Sequence, residues 1–183
     1  MTIKERYQNV LAILEKEWPT ADSELNFENE YQLLVAVMLS AQCTDKRVNM
    51  VTPSLFESYP TIEALAKASP QEILNHIKSV SYPNSKATHL VEMAKRVVST
   101  YEGKIPDTRE ELQTLAGVGR KTANVVCAVW WNQPTMAVDT HIFRVAERIG
   151  LTTGAKTPLD SEKQLVKYIP ESLIPKAHHW LLL

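Results

Sequence analysis

The 183-residue chain is poor in several things, and each shortage removes a class of protein. Two cysteines, Cys43 and Cys127, are too few and too far apart for a disulfide framework, which points to a reducing, cytoplasmic setting. Five glycines and little apolar–polar alternation argue against a sheet protein. The longest apolar run, Leu33 to Leu39, is seven residues, whereas a bilayer span needs about 20. The opening Met1-Thr-Ile-Lys-Glu-Arg does not follow the basic-then-apolar order of a secretory leader. No excess of charge exists either: the net value is −1, which does not advertise a nucleic-acid binder. The charge is uneven, with 5 basic and 10 acidic residues over 1–65 but 9 basic and 7 acidic over 86–148. That polarity fits a nucleic-acid-facing middle and an acidic back, yet it decides nothing alone. What is abundant is Leu, Ala, Glu and Lys in a length sufficient for a real core, so the expectation is an all-α protein of one or two domains.

The most informative stretch is Leu115-Ala116-Gly117-Val118-Gly119-Arg120-Lys121-Thr122-Ala123-Asn124-Val125-Val126. It reads as helix, glycine hairpin, helix. Thr108 and Glu111 form a capping-box pair opening the first helix, with Asp107 and Glu110 offering the same pair one residue earlier. The second helix, Thr122 to Trp131, is apolar at Ala123, Val125, Val126, Ala128, Val129 and Trp130 and should be buried. Gly117 and Gly119 are expected to supply a positive φ or a close approach that a Cβ would block. Such a hairpin aims backbone N–H groups at the positive end of the second helix, a setting for an anionic oxygen such as a phosphate, with Arg120 and Lys121 beside it. On the residues alone, an ordinary αα-turn carrying two solvated cations remains open.

The rest of the chain punctuates into helices. Residues 3–17 show one apolar face, and Pro19 ends that helix. Asn29 or Glu30 opens a second through Ser40, apolar nearly all round and so expected at the centre of its lobe. Ser40-Ala41-Gln42-Cys43-Thr44-Asp45 follows, with Thr44 or Asp45 placed to cap the next helix, Lys46 to Phe56. Two short helices, Thr61 to Lys67 and Pro70 to Lys78, lead to the turn Ser81-Tyr82-Pro83-Asn84-Ser85-Lys86 and a helix from Lys86 to Thr100. Asn132-Gln133-Pro134-Thr135 is a break. Asp139 stands as N-cap of a helix from Thr140 to Ile149. The last helices are Asp160 to Tyr168 and Lys176 to Leu183, where His178 and His179 read as one packed and one solvated histidine, since a metal pair on a helix needs a spacing of three or four.

Five strings, in order, carry a resemblance: SAQCTD, YPNSKA, LAGVGRKTANVV, AVDTHIFRV and HHWL. Together they resemble the endonuclease III-like DNA glycosylases of the helix-hairpin-helix superfamily. Ala116 stands where that family has proline, and Ser81, Tyr82 and Pro83 depart from its glycine, wedge residue and tyrosine. The resemblance implies an all-α fold of two lobes with a DNA cleft between them: residues 22–133 as a helical barrel holding the hairpin, and residues 1–21 with 134–183 as the second lobe. It implies base excision repair by a bifunctional glycosylase and AP lyase acting on oxidised pyrimidines. Lys121 is then the nucleophile forming a Schiff base at C1′, and Asp139 the catalytic carboxylate. Lysine attacks only as the free amine, and a helix N-terminus together with partial burial would disfavour its ammonium form. DNA contacts are expected from Gln42, which fills the gap left by an extruded nucleotide, from Tyr82 as an aromatic wedge, and from Lys86, Gly117, Val118, Gly119, Arg120 and Thr122. Ser40, Asp45 and His141 are pocket candidates. The expected partner is damaged double-stranded DNA bound by a monomer at the bacterial nucleoid. The family also implies a [4Fe–4S] cluster on four cysteines beyond the HHWL helix. Those cysteines are absent here, so no cluster is expected in this chain, and the ending on Trp-Leu-Leu-Leu suggests truncation. The competing expectation is a non-catalytic DNA-binding fragment, inactive through that truncation.

Overall fold

The computed structural model describes all of residues 1–183 and contains helices and no strands. In order these are α1 (Ile3–Glu17), α2 (Glu30–Ser40), α3 (Asp45–Ser58), α4 (Ile62–Lys67), α5 (Pro70–Ile77), α6 (Pro83–Tyr101), α7 (Arg109–Leu112), α8 (Arg120–Trp131), α9 (Thr140–Arg148), α10 (Pro158–Tyr168), a 3₁₀ turn (Glu171–Leu173) and α11 (Ile174–Leu182). They form two compact units, Glu24–Val126 and Met1–Ser23 with Cys127–Leu183. The second boundary falls inside α8.

In the unit of residues 24–126, α2 is the hub. Asn29 caps it through its side chain, and every residue from Leu33 to Leu39 is buried. A helix apolar all round is stable only when enclosed, and α3 and α6 pack against it. The 19-residue α6 is the longest helix, and α4 and α5 lie along it. It begins at Pro83, three residues before the sequence places it. Proline is tolerated at a first helical position, where its fixed φ suits the helix and no N–H is required.

The unit of residues 1–23 and 127–183 is built from chain segments far apart in sequence. Tyr7 and Leu11 of α1 enter a core with Met136, Ile142, Leu165, Ile174 and Trp180. Polar ties pin the same arrangement: the Tyr7 hydroxyl donates to the Leu151 carbonyl, Arg6 donates to the Gly150 carbonyl at 3.1 Å, and Trp180 Nε1 donates to the Trp18 carbonyl at 2.8 Å. Gly150 has φ +73°, and a Cβ there would collide with the Arg6 guanidinium.

Candidate active site

The hairpin forms between α7 and α8, although α7 is one turn rather than the full helix expected from Thr108 to Leu115. Thr108 caps it as expected, accepting from Glu111 N. After Leu112 the ladder tightens to the i→i−3 pattern: Thr114 N donates to Glu111 O and Leu115 N to Leu112 O, while the Thr114 hydroxyl takes the Glu111 carbonyl as well. Val118 N then reaches back to Leu115 O at 3.2 Å, and Ala123 N donates to Gly119 O at 3.0 Å, which makes Gly119 the residue that opens α8. Arg120 and Lys121 therefore stand in the first turn of α8.

The two hairpin glycines do different jobs. Gly117 has φ +74°, and a Cβ added to it would lie 2.8 Å from His89 Cβ, so the fold itself requires glycine there. Gly119 has no such φ, and a Cβ added to it would meet nothing within 4 Å. The expected positive φ or close approach divides between the two: the protein's own atoms account for Gly117, and they leave the face of Gly119 open. The space in front of Gly119 is open for a ligand to approach the backbone.

Beside the hairpin the same unit holds a cavity of about 210 Å³, lined by Gln42, Tyr82 and Lys86 with Met38, Ala41, Ser85, His89 and Gly117. Two rim residues are strained. Four non-glycine residues have positive φ. Glu102 is the C-cap of α6, and Asn132 directly follows α8, where such backbone is ordinary. Gln42 (φ 53°) closes the turn after α2, in which Cys43 N donates to Ser40 O at 3.0 Å, and Tyr82 (φ 52°) is the N-cap residue of α6; left-handed backbone costs either residue type roughly 1–2 kcal/mol against relaxed backbone. Tyr82 also precedes Pro83, a context that normally forces extended backbone. Its side chain makes no cap bond and is 66% exposed. The Ser81 hydroxyl ties the two strained residues together by donating to the Gln42 carbonyl at 2.6 Å.

Lys86 serves as a structural cap within the fold. It is only 8% exposed, and its ammonium donates to the carbonyls of Leu39 at 2.8 Å and Ala41 at 2.7 Å. There it satisfies carbonyls at the negative end of α2 and anchors the segment that presents Gln42. Burial pulls its pKa down from the ordinary lysine value, partly opposed by the Cys43 thiol. Thr44, not Asp45, caps α3, accepting from Arg47 N at 3.3 Å, and the Ser40 hydroxyl bonds back to Val37 O at 2.8 Å within its own helix. Lys121 is exposed rather than partly buried.

Asp139 belongs to the other unit. It is the N-cap of α9, with Oδ1 accepting from Ile142 N at 2.8 Å. The preceding Met136, Ala137 and Val138 are buried, and His178 on α11 bonds through Nδ1 to the Ala137 carbonyl at 3.1 Å. His178 is the packed histidine; its neighbour His179 is half-buried, 3.8 Å from Asp22, rather than solvated. His141 is exposed on the first turn of α9. Sequence reading missed His89 as a cavity residue, though it falls three residues after Lys86 on the same helix and so on the same face.

Residues 35–171 match the family model described as HhH-GPD superfamily base excision DNA repair protein. The chain is 47% identical to endonuclease III of Rickettsia felis over 174 residues, covering 95% of this chain and 81% of that one. Against endonuclease III of Escherichia coli it is 38% identical over 180 residues, covering 98% and 85%. Among solved structures it superposes on a trapped endonuclease III–DNA covalent intermediate with TM-score 0.94 at 39% identity, over 100% of this chain and 85% of the other.

Proposed function

The chain belongs to the HhH-GPD superfamily of base excision DNA repair proteins, in its endonuclease III group, and from that premise we propose how its own residues carry out the reaction. It is a DNA glycosylase with AP-lyase activity, and its partner is damaged double-stranded DNA. The observation that best supports the residue-level reading is the strained pair Gln42 and Tyr82, linked through Ser81 at the rim of one cavity beside the hairpin. Strain of this kind persists where the surrounding structure needs a side chain held in one direction.

Extruding a nucleotide costs a few kcal/mol of stacking and pairing. Gln42 fills the vacated space and hydrogen-bonds the orphaned base, while the Tyr82 ring wedges into the stack. The hairpin N–H groups at Gly117, Val118 and Gly119, with Arg120 and Thr122, take a backbone phosphate at the positive end of α8. The open space at Gly119 is where that phosphate approaches. The Lys121 amine attacks C1′, and the C1′–N bond breaks with its electron pair leaving on the base, which is then protonated. The sugar ring opens to a Schiff base as O4′ takes a proton. Loss of the C2′ proton then breaks the C3′–O bond and expels the 3′ phosphate, after which water hydrolyses the imine and returns the amine. The Asp139 carboxylate stabilises positive charge developing on the sugar and accepts the lysine's proton. Because Lys121 is exposed, the bound DNA itself supplies the exclusion of water around it. Ser40, Asp45 and His141 complete the reading as pocket groups, oxidised pyrimidines as its substrates, and the bacterial cytoplasm as its place of work, where it acts as a monomer. The lobes that bind DNA are taken as residues 22–133 and residues 1–21 with 134–183.

Endonuclease III proteins normally carry a [4Fe–4S] cluster. The residues of this chain do not fit one: Cys43 is half-buried just after α2, Cys127 is buried within α8, and no three His, Cys, Asp or Glu side chains gather to hold a metal. No step is routed through such a group. Borohydride trapping on an abasic-site duplex and on a thymine-glycol duplex tests the reading. The chain should be trapped on both, and Lys121→Ala should lose trapping and strand cleavage while still binding abasic DNA. Trapping retained by that variant would refute the assignment and favour a passive phosphate clamp.

A further inference from the structure

We infer that His178 is a positioning residue for Asp139, an inference that rests on the catalytic reading of Asp139 given above. His178 sits on α11, 4% exposed, with Nδ1 3.1 Å from the carbonyl oxygen of Ala137. A carbonyl only accepts, so the ring holds its proton on Nδ1 and donates it. Ala137 is two residues before Asp139, in the buried segment Met136–Val138 that delivers the aspartate to the start of α9. The protein has no strands, so the Ala137 carbonyl takes its donor from a side chain rather than from a sheet ladder. The other end of the approach is fixed by Asp139 itself, whose Oδ1 takes Ile142 N. The cap ties the carboxylate to the backbone of α9, so the backbone at Val138 and Asp139 sets where the group stands. His178 holds that backbone from one side and the cap holds it from the other. Losing the histidine donor leaves a buried carbonyl unpaired and frees the segment to shift. A displacement of about 1 Å at a catalytic group costs on the order of a hundredfold in rate.

The test uses the whole chain and a thymine-glycol duplex. His178→Leu should slow single-turnover base release about tenfold to a hundredfold with DNA affinity changed less than about twofold. His178→Asn, which keeps an N–H near the Nδ1 position, should recover most of that rate. In an Asp139→Asn background, His178→Leu should add no further loss, because the group it positions is already gone. Losses that multiply in the double variant, or an Asn variant as slow as the Leu variant, would overturn the assignment. Wild-type turnover by Asp139→Asn alone would instead sink the reading of Asp139, and the positioning role with it. Should the Leu variant not fold, ¹⁵N spectroscopy of the wild-type chain decides the geometry: a protonated Nδ1 at His178 is expected, and a bare Nδ1 overturns the proposal.

Discussion

The two compact units present their working side chains by opposite means. In residues 24–126, Gln42 and Tyr82 are held on left-handed backbone that neither residue type favours, and Gly117 sits at a φ only glycine takes easily. In the other unit Asp139 stands on relaxed extended backbone, fixed by the ordinary device of an N-cap. In the proposed mechanism Gln42 and Tyr82 would project against the resistance of stacked bases, and a locked backbone suits that. Asp139 in its proposed catalytic role would need an accurate address and no protrusion, and a cap supplies it while contributing to stability rather than drawing on it. The contrast shows that a site residue need not look strained to be placed with care.

The sharpest way to break this comparison is inside the hairpin. Gly117→Ala should cost at least about 2 kcal/mol, from the left-handed backbone and from collision with His89, with DNA affinity falling together with the unfolding midpoint. Gly119→Ala should cost less than about 1 kcal/mol in a denaturant melt, as a change at a helix cap, yet weaken DNA binding about tenfold by placing a methyl where a phosphate approaches. Equal effects of the two substitutions would remove the distinction between a glycine for the fold and a glycine for the ligand.

Next in size is the trade between stability and work at the wedge. Asparagine tolerates left-handed backbone better than tyrosine, so Tyr82→Asn should raise unfolding stability by about 0.5–1 kcal/mol while lowering base release. Asp139→Asn keeps an equally good cap, so stability should stay within about 0.5 kcal/mol while base release is lost. A destabilised Tyr82→Asn variant would show that the strain is offset by packing of the ring.

The smallest effect is an acid titration that treats both units alike. Hydrogen bonds from Ser69 hold the Glu72 carboxyl below its ordinary value, and hydrogen bonding from Thr157 does the same for Asp160. A carboxylate depressed in the folded state contributes stability that is full above its unfolded pKa of about 4 and is lost as pH falls through the folded value. Ser69→Ala and Thr157→Ala should each flatten part of the decline in melting temperature below pH 4. No change from either would mean that these caps do not discriminate between folded and unfolded chains.

Much of this was legible in residue order. The helices follow from apolar spacing and caps, α2 as the hub from an apolar run with no wet face, and the hairpin from its glycines and the basic pair after them. What escaped was set by contacts between distant residues. Lys86 reads as one more cation beside a DNA motif, and only the fold shows its ammonium occupied by carbonyls 45 and 47 residues away. Which of Gly117 and Gly119 takes the positive φ escaped as well, because two glycines in one string look alike until their surroundings are seen. The short α7 escaped because a capping box marks where a helix starts and says nothing of where a tighter turn takes over. The pair His178 and His179 reads as one packed and one solvated histidine without saying which, and the carbonyl that the packed His178 serves lies 41 residues back along the chain.

The ties between α1 and the segment around Leu151 bear on how the molecule is made. Tyr7 and Leu151 are 144 residues apart, and ribosomes add roughly 5–20 residues per second. The helix synthesised first therefore waits roughly 7–30 s for the surface it packs on, while the continuous stretch from Glu24 to Val126 is already complete. During that interval Tyr7 and Leu11 lack the partners of their core, whereas the middle unit has every residue it needs to fold.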